Sequence, residues 1–200
     1  MKKILFLTAL LAIFATNGSL YGQTNKKNTI GAHFAFGDGD YGYPRNVLGN
    51  INYDTKYYYN IGVDYSRKLS KRWDFCSGIE YTYIDMMSRY MLDPNSQSIK
   101  EYSKFVTIPF DFKYNFWKFV YIGGGLSAII IDSEYVGKSV GMLLGSNCGI
   151  GLDFKYEFDS SVVLSLNPYF RLNESFGRES HHTGFIFPQW GVRLGMGYKF

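Results

Sequence analysis

The last ten residues of the chain, "GVRLGMGYKF" (191–200), decide the fold. Large apolar side chains occupy every second position, and glycine, arginine or lysine occupies the positions between them. A period of two residues is typical of a β-strand with one apolar and one polar face. The pattern ends on an aromatic residue, Phe200, whereas the ends of soluble domains are usually frayed and polar. We therefore expect this segment to be a strand that uses the final residue of the chain.

The same alternation occurs in seven further stretches. They are, approximately, 29–36, 57–69, 73–85, 104–116, 119–131, 142–157 and 161–172. No segment shows the period of 3.6 residues that is typical of an amphipathic helix. The sequence therefore predicts an all-β protein with eight strands.

The links between these strands alternate in length. Those after the first, third, fifth and seventh strands span about 20, 18, 10 and 14 residues, whereas those at 70–72, 117–118 and 158–160 are short. Short turns at one end of a sheet and long loops at the other are typical of outer-membrane barrels. The pattern predicts an eight-stranded antiparallel up-and-down transmembrane β-barrel over residues 23–200, with both termini at the short-turn end, in the periplasm.

The start of the chain has the pattern of a secretory signal peptide. Lys2 and Lys3 precede an apolar run over 4–15, and small residues precede Gln23. A run of this length is too short for a stable membrane-spanning helix. We expect residues 1–22 to be removed on export. The remaining 19 basic and 17 acidic residues nearly balance, which gives no indication of a nucleic-acid partner.

Alternation alone does not say which face of the strands points outward. A soluble, lipocalin-like ligand-binding barrel would turn its apolar face inward. Two features favour the membrane orientation. Glycines gather on the polar face, where a narrow barrel interior needs small residues beside long ones. Aromatic residues adjoin the short turns, as in an interfacial girdle; they are Trp73, Phe116, Trp117, Phe158 and Phe200.

Eight charged residues share the polar face and would point into the lumen of such a barrel. They are Asp64, Glu80, Asp111, Lys113, Asp153, Lys155, Arg171 and Arg193. Buried charges need partners. We therefore predict an interlocked salt-bridge network that fills the lumen and leaves no wide channel.

A segment in the middle of the chain suggests a family. "FVTIPFDFKYNFWKFVYIGGGL" (105–126) places Ile108-Pro109 and Lys113-Tyr114 before a tight turn, and Tyr121-Ile122-Gly123-Gly124-Gly125 after it. Together with the closing Tyr198-Lys199-Phe200, it resembles the PorT-like outer-membrane β-barrel family of Bacteroides-type bacteria. The resemblance implies an eight-stranded outer-membrane barrel, in a family where some members serve protein secretion. It supplies no catalytic residue.

The ending on alternating apolar residues also resembles the signal that the outer-membrane insertion machinery recognises. We assign that role to Tyr198 and Phe200. The expected partners are thus outer-membrane lipid, this machinery, and a protein bound at the outer wall or the extracellular loops.

Candidates for chemistry are few. His181 and His182 follow Glu179 and Ser180 in the last long loop, a composition that a lipid A-modifying enzyme could use. Adjacent histidines on a strand point in opposite directions, however, and solvated loop histidines are the simpler interpretation. We therefore predict a non-enzymatic barrel without metal or cofactor. Pro109 and Pro168 lack a backbone donor, so each should lie at a bulge or a strand end.

Overall fold

The computed structural model describes residues 27–40, 51–90, 98–132, 140–176 and 186–200. Nine antiparallel strands make up nearly all of this part of the chain, which confirms the all-β prediction. They are β1 (Asn28–Gly39), β2 (Ile51–Lys68), β3 (Trp73–Tyr90), β4 (Ile99–Asn115), β5 (Val120–Asp132), β6 (Val140–Leu152), β7 (Phe154–Glu157), β8 (Val162–Phe176) and β9 (Ile186–Lys199). In these segments no helix is long and apolar enough to cross a membrane.

The sheet closes on itself as a ring of eight strands. Each strand pairs with the next along the chain, except that β6 pairs with β8 rather than with β7, and β1 pairs with β9. The predicted strand 142–157 is divided at Asp153 into β6 and β7, and both parts pair with β8 in one continuous register. The nine strands therefore fill eight positions in the ring, and the predicted up-and-down order is confirmed.

The ring is strongly staggered. The stagger is measured by following paired residues around the ring from Ile30 in β1. The successive partners are Tyr65, Ser77, Phe110, Leu126, Ser146, Glu174 and finally Ile186 in β9. The residue of β9 that pairs with Ile30 is instead Tyr198, twelve positions further along. A closed sheet with this offset has steeply tilted strands and an interior just wide enough for packed side chains.

Most strands extend further toward the long loops than the alternation indicates. β2 begins at Ile51 rather than 57, and β3 continues to Tyr90 rather than 85. A register shift between Thr55 and Tyr57 explains the first difference, because the extra residue reverses which parity faces outward. A prediction based on strict alternation therefore begins the strand only after the register shift.

The two faces of the ring differ in polarity in the direction that the membrane orientation requires. Among the described residues, thirty-four large hydrophobic side chains are exposed and eight hydrophobic residues are buried. Along β1, for example, Ile30, Phe34 and Phe36 face outward, whereas His33 and Ala35 are buried inside. This is the reverse of a lipocalin-like barrel, which places its apolar face inward.

The expectation for the two prolines is wrong. Pro109 and Pro168 lie inside β4 and β8, and the register is the same on both sides of each, although the pairing of β3 with β4 is interrupted at Pro109. A side chain replaces the missing donor opposite Pro168 and adds a hydrogen bond at Pro109. Ser77 Oγ donates to the carbonyl of Pro109 (2.8 Å), and Asn167 Nδ2 donates to the carbonyl of Leu152 opposite Pro168 (2.7 Å). Each proline is therefore accommodated without a bulge.

Candidate functional site

The middle of the ring contains a compact group of charged side chains. Glu80, which is 5% exposed, accepts hydrogen bonds from Arg171 and Arg193, one on each carboxylate oxygen, at 3.2 Å. Arg171 also donates to Asp111 at 3.3 Å. Because β3, β4, β8 and β9 contribute one residue each, these contacts join opposite walls of the ring. We call these four residues the central cluster.

His33 connects the central cluster to β2. Its Nδ1 lies 2.8 Å from Asp64 Oδ2 and its Nε2 lies 2.6 Å from Asn60 Oδ1. The amide of Asn60 donates in turn to Thr82 Oγ1 at 2.9 Å. Both ring nitrogens thus face oxygen acceptors. His33 and Asp64 also bridge the neighbouring strands β1 and β2 inside the ring.

His33, Asp64 and Glu80 together have the side-chain types of a metal site. Within the described segments, ligand atoms of His33, Asp64 and Glu80 lie within 4.8 Å of one another. Both nitrogens of His33 and both oxygens of Glu80 already have partners. An ion here would have to displace hydrogen-bonded arginines, so the arrangement suits a structural network better than a metal.

A second ion-paired group lies nearer the short turns. Asp153 accepts from Lys113 at 2.6 Å and from Lys155 at 2.9 Å. The ammonium group of Lys113 also lies 3.8 Å from the centre of the Tyr121 ring. All eight charged residues assigned to the lumen from the sequence therefore lie inside the ring or at its turn end, and Asp153 occupies the break between β6 and β7.

The loop end of the lumen is apolar, which the sequence reading missed. Tyr58 and Phe187 pack edge to face at 5.7 Å, and Tyr58 shares a hydrogen bond of 2.7 Å with Tyr169. Tyr58 and Phe187 belong to a buried cluster that we call the apolar plug, and Tyr169 packs against it; its members are Tyr58, Ile84, Met86, Phe105, Ile129 and Phe187. The sequence pattern that could have indicated the apolar plug is a run that is apolar on both faces, such as "YYY" (57–59) or "AII" (128–130).

The turn end of the lumen is open. A cavity of about 780 Å³, which we call the turn-side cavity, reaches from the mouth of the ring to Arg193. Its walls include Asp64, Lys113 and Asp153. The sequence predicts charges that fill the lumen. In the structure only the central cluster spans the lumen, at its middle, with the apolar plug on one side and this cavity on the other.

The residues assigned to assembly lie at the mouth of the ring. Tyr198 and Phe200 point outward and are about half exposed. The backbones of Phe200 and Asn28 exchange two hydrogen bonds, of 2.8 and 3.0 Å, which extend the pairing of β1 and β9 to the last residue. The predicted signal peptide 1–22, and His181 and His182, lie outside the described residues.

Comparison with solved structures finds small outer-membrane proteins. Three of them are OprG from Pseudomonas aeruginosa (12% identity, 88% of this chain and 97% of that one, TM-score 0.48), AlkL in lipid bilayers (13%, 91% and 94%, 0.46) and the N-terminal β-barrel domain of Pseudomonas aeruginosa OprF (18%, 88% and 100%, 0.40). No protein-family model and no curated protein matches the sequence. Identities and scores this low carry no information about function.

Proposed function

We propose that this chain is an integral outer-membrane β-barrel protein with a closed lumen, whose short turns and termini face the periplasm. The observation that supports the proposal best is the exposed apolar surface around the ring. Exposing such a surface to water is unfavourable, and large apolar patches on soluble proteins are accordingly rare. A bilayer favours it, and a closed sheet leaves no unpaired edge in the hydrocarbon.

Aromatic side chains at both ends of the apolar surface support the same proposal. At the turn end, Trp73, Trp117 and Phe158 are exposed. Toward the loops, Tyr59 and Tyr83 stack at 5.0 Å, and Tyr83 stacks on Tyr102 at 6.2 Å. Two aromatic girdles about 25 Å apart are the usual boundaries of a membrane-spanning barrel.

The lumen supports a non-enzymatic role. The carboxylates and guanidinium groups of the central cluster neutralise one another, and the apolar plug closes the loop end. We infer that the protein acts through its outer wall or its loops, as a structural, assembly- or secretion-associated, or loop-binding component. The PorT-like resemblance agrees with this inference. Its partners would be lipid, the insertion machinery and a protein at one of those surfaces.

The membrane proposal predicts how the purified protein behaves on a gel and in a bilayer. A closed barrel resists detergent at room temperature, so unheated protein should migrate faster than boiled protein. Because the apolar plug blocks the lumen, planar bilayers containing the protein should show no steady conductance above background. Identical mobility in both states, together with solubility after detergent removal, would contradict the membrane proposal. Large, stable conductance steps would contradict the closed lumen.

The non-enzymatic proposal predicts that changing His181 and His182 to alanine has no effect on lipid A. The mass spectrum of lipid A should be the same in cells with the variant, with the wild type and with neither. Protein level in the outer membrane, measured by immunoblot, is the control. A lipid A modification that appears with the wild type and disappears with the double variant would show that the protein is an enzyme.

A further inference from the structure

We propose that the turn-side cavity binds a small anion that carries several phosphate or carboxylate groups. The inference deepens the proposed function, because the proposed topology opens this cavity to the periplasm. Its volume of about 780 Å³ lies in the range of ordinary ligand pockets, roughly 300–1,000 Å³. The apolar plug closes the lumen beyond the central cluster, so a ligand would enter and leave through the turn end.

The charge of the cavity walls favours an anion. Seven basic and four acidic side chains line it. Each acidic side chain is already engaged. Asp153 binds Lys113 and Lys155, Glu157 binds Lys199 at 2.7 Å, Asp64 binds His33, and Asp74 accepts from Asn115 at 2.9 Å. Only Asp153 and Glu157 are paired with lysines, but the seven basic side chains still exceed the four acidic ones by three positive charges.

That excess is concentrated on one side of the mouth. Lys27, Lys68 and Lys71 line the cavity, and no ion pair joins any of them to a described carboxylate. They lie close together in the fold, because the backbone N–H of Lys68 donates to the carbonyl of Lys27 at 2.8 Å and Lys71 is in the adjoining turn. Three lysines that line one opening without a paired carboxylate favour a multiply charged anion there.

The floor of the cavity carries a further positive charge. Arg193 lines it with a side chain that is 25% exposed, although its Nε is buried and has no hydrogen-bond partner. Gly195 and Gly197 line the wall beside it and place no side chain in the space. A Cβ at Gly195 would approach Ser165 Oγ to 2.5 Å, so a larger residue there would collide with the cavity wall. The two glycines therefore belong to a tightly packed wall beside the Arg193 guanidinium group.

The test uses full-length mature protein refolded in a non-ionic maltoside detergent, with sodium tripolyphosphate as the probe in isothermal titration calorimetry at low salt. The triple variant K27Q/K68Q/K71Q should weaken binding at least tenfold. The matched control is R67Q/R72Q/K118Q, which removes three positive charges from the same end of the ring at residues that do not line the cavity. It should weaken binding no more than about twofold, a change that reflects only the lower net charge.

Equal weakening by the two triple variants, or no binding by the wild type, would overturn the proposal. Heat-dependent gel mobility of each variant shows that the ring is intact, so a failed binding test is distinguished from a failed membrane proposal. Adding cardiolipin, whose headgroup carries two phosphates, to the micelles identifies the source of the anion. Competition with the probe would assign the site to a lipid headgroup, and lack of competition would assign it to a soluble anion.

Discussion

Replacing Glu80 by glutamine is expected to destabilise the folded protein by about 3–5 kcal/mol, the usual cost of removing one partner from a buried ion pair. Glu80 is the only described carboxylate that pairs with Arg193, and it also pairs with Arg171. A neutral amide leaves both guanidinium groups short of negative charge inside the ring. The measurement is the free energy of unfolding in detergent or lipid vesicles, followed by tryptophan fluorescence in urea.

The matched control is Glu157→Gln, which makes the same chemical change at the mouth of the ring. The Glu157 side chain is 47% exposed and pairs with Lys199 at 2.7 Å, a shorter contact than either contact of Glu80. Solvent screens an exposed pair, so we expect a cost below about 1 kcal/mol. If both substitutions lowered the free energy of unfolding equally, burial would not determine how much these ion pairs stabilise the protein. The structural role given to the central cluster would then be wrong.

Much of the fold follows from the sequence because a strand in a closed ring has only two faces. Alternation is enough to assign Glu80, Arg171 and Arg193 to the same interior. It fails where the alternation itself fails: at the bulge between Thr55 and Tyr57, and at Asp153, where one predicted strand becomes two. Local irregularities of this kind depend on pairing with a neighbouring strand, which periodicity does not report.

The site was less predictable, because parity places a residue inside the ring but does not fix its level. Glu80 meets Arg171 and Arg193 across separations of 91 and 113 residues. Those contacts depend on the stagger of the whole ring. The turn-side cavity depends on it too, since Lys27 and Lys155 line the same cavity only after the sheet closes. The charged residues of the lumen can therefore be predicted from the sequence, whereas the division of the lumen into apolar plug, central cluster and turn-side cavity cannot.

Phe200 is expected to contribute little to folding and much to assembly. Changing Phe200 to alanine keeps the two backbone hydrogen bonds with Asn28, which a deletion would remove. Only one half-exposed aromatic side chain is lost, at a cost of about 1–3 kcal/mol of apolar burial, which a ring closed by eight seams should survive. If Phe200 is the recognition signal that we propose, the insertion machinery reads it on an unfolded chain that has no other strand to compensate. The amount of protein in the outer membrane should then fall about tenfold, a discrimination of roughly 1.4 kcal/mol in recognition.

Phe158 provides the control that makes this result specific, because it also lies at the turn end and is 42% exposed, against 45% for Phe200. Phe158→Ala should refold from urea into detergent as Phe200→Ala does, since each variant loses one aromatic side chain from the same girdle. In cells the two variants should differ, because Phe158 lies in an internal turn, which insertion machinery that recognises the C-terminal strand does not contact. Immunoblots of outer-membrane fractions should therefore show Phe158→Ala within twofold of the wild type. If both variants fell by the same factor, the loss would come from the girdle, and Phe200 would have no separate role in assembly.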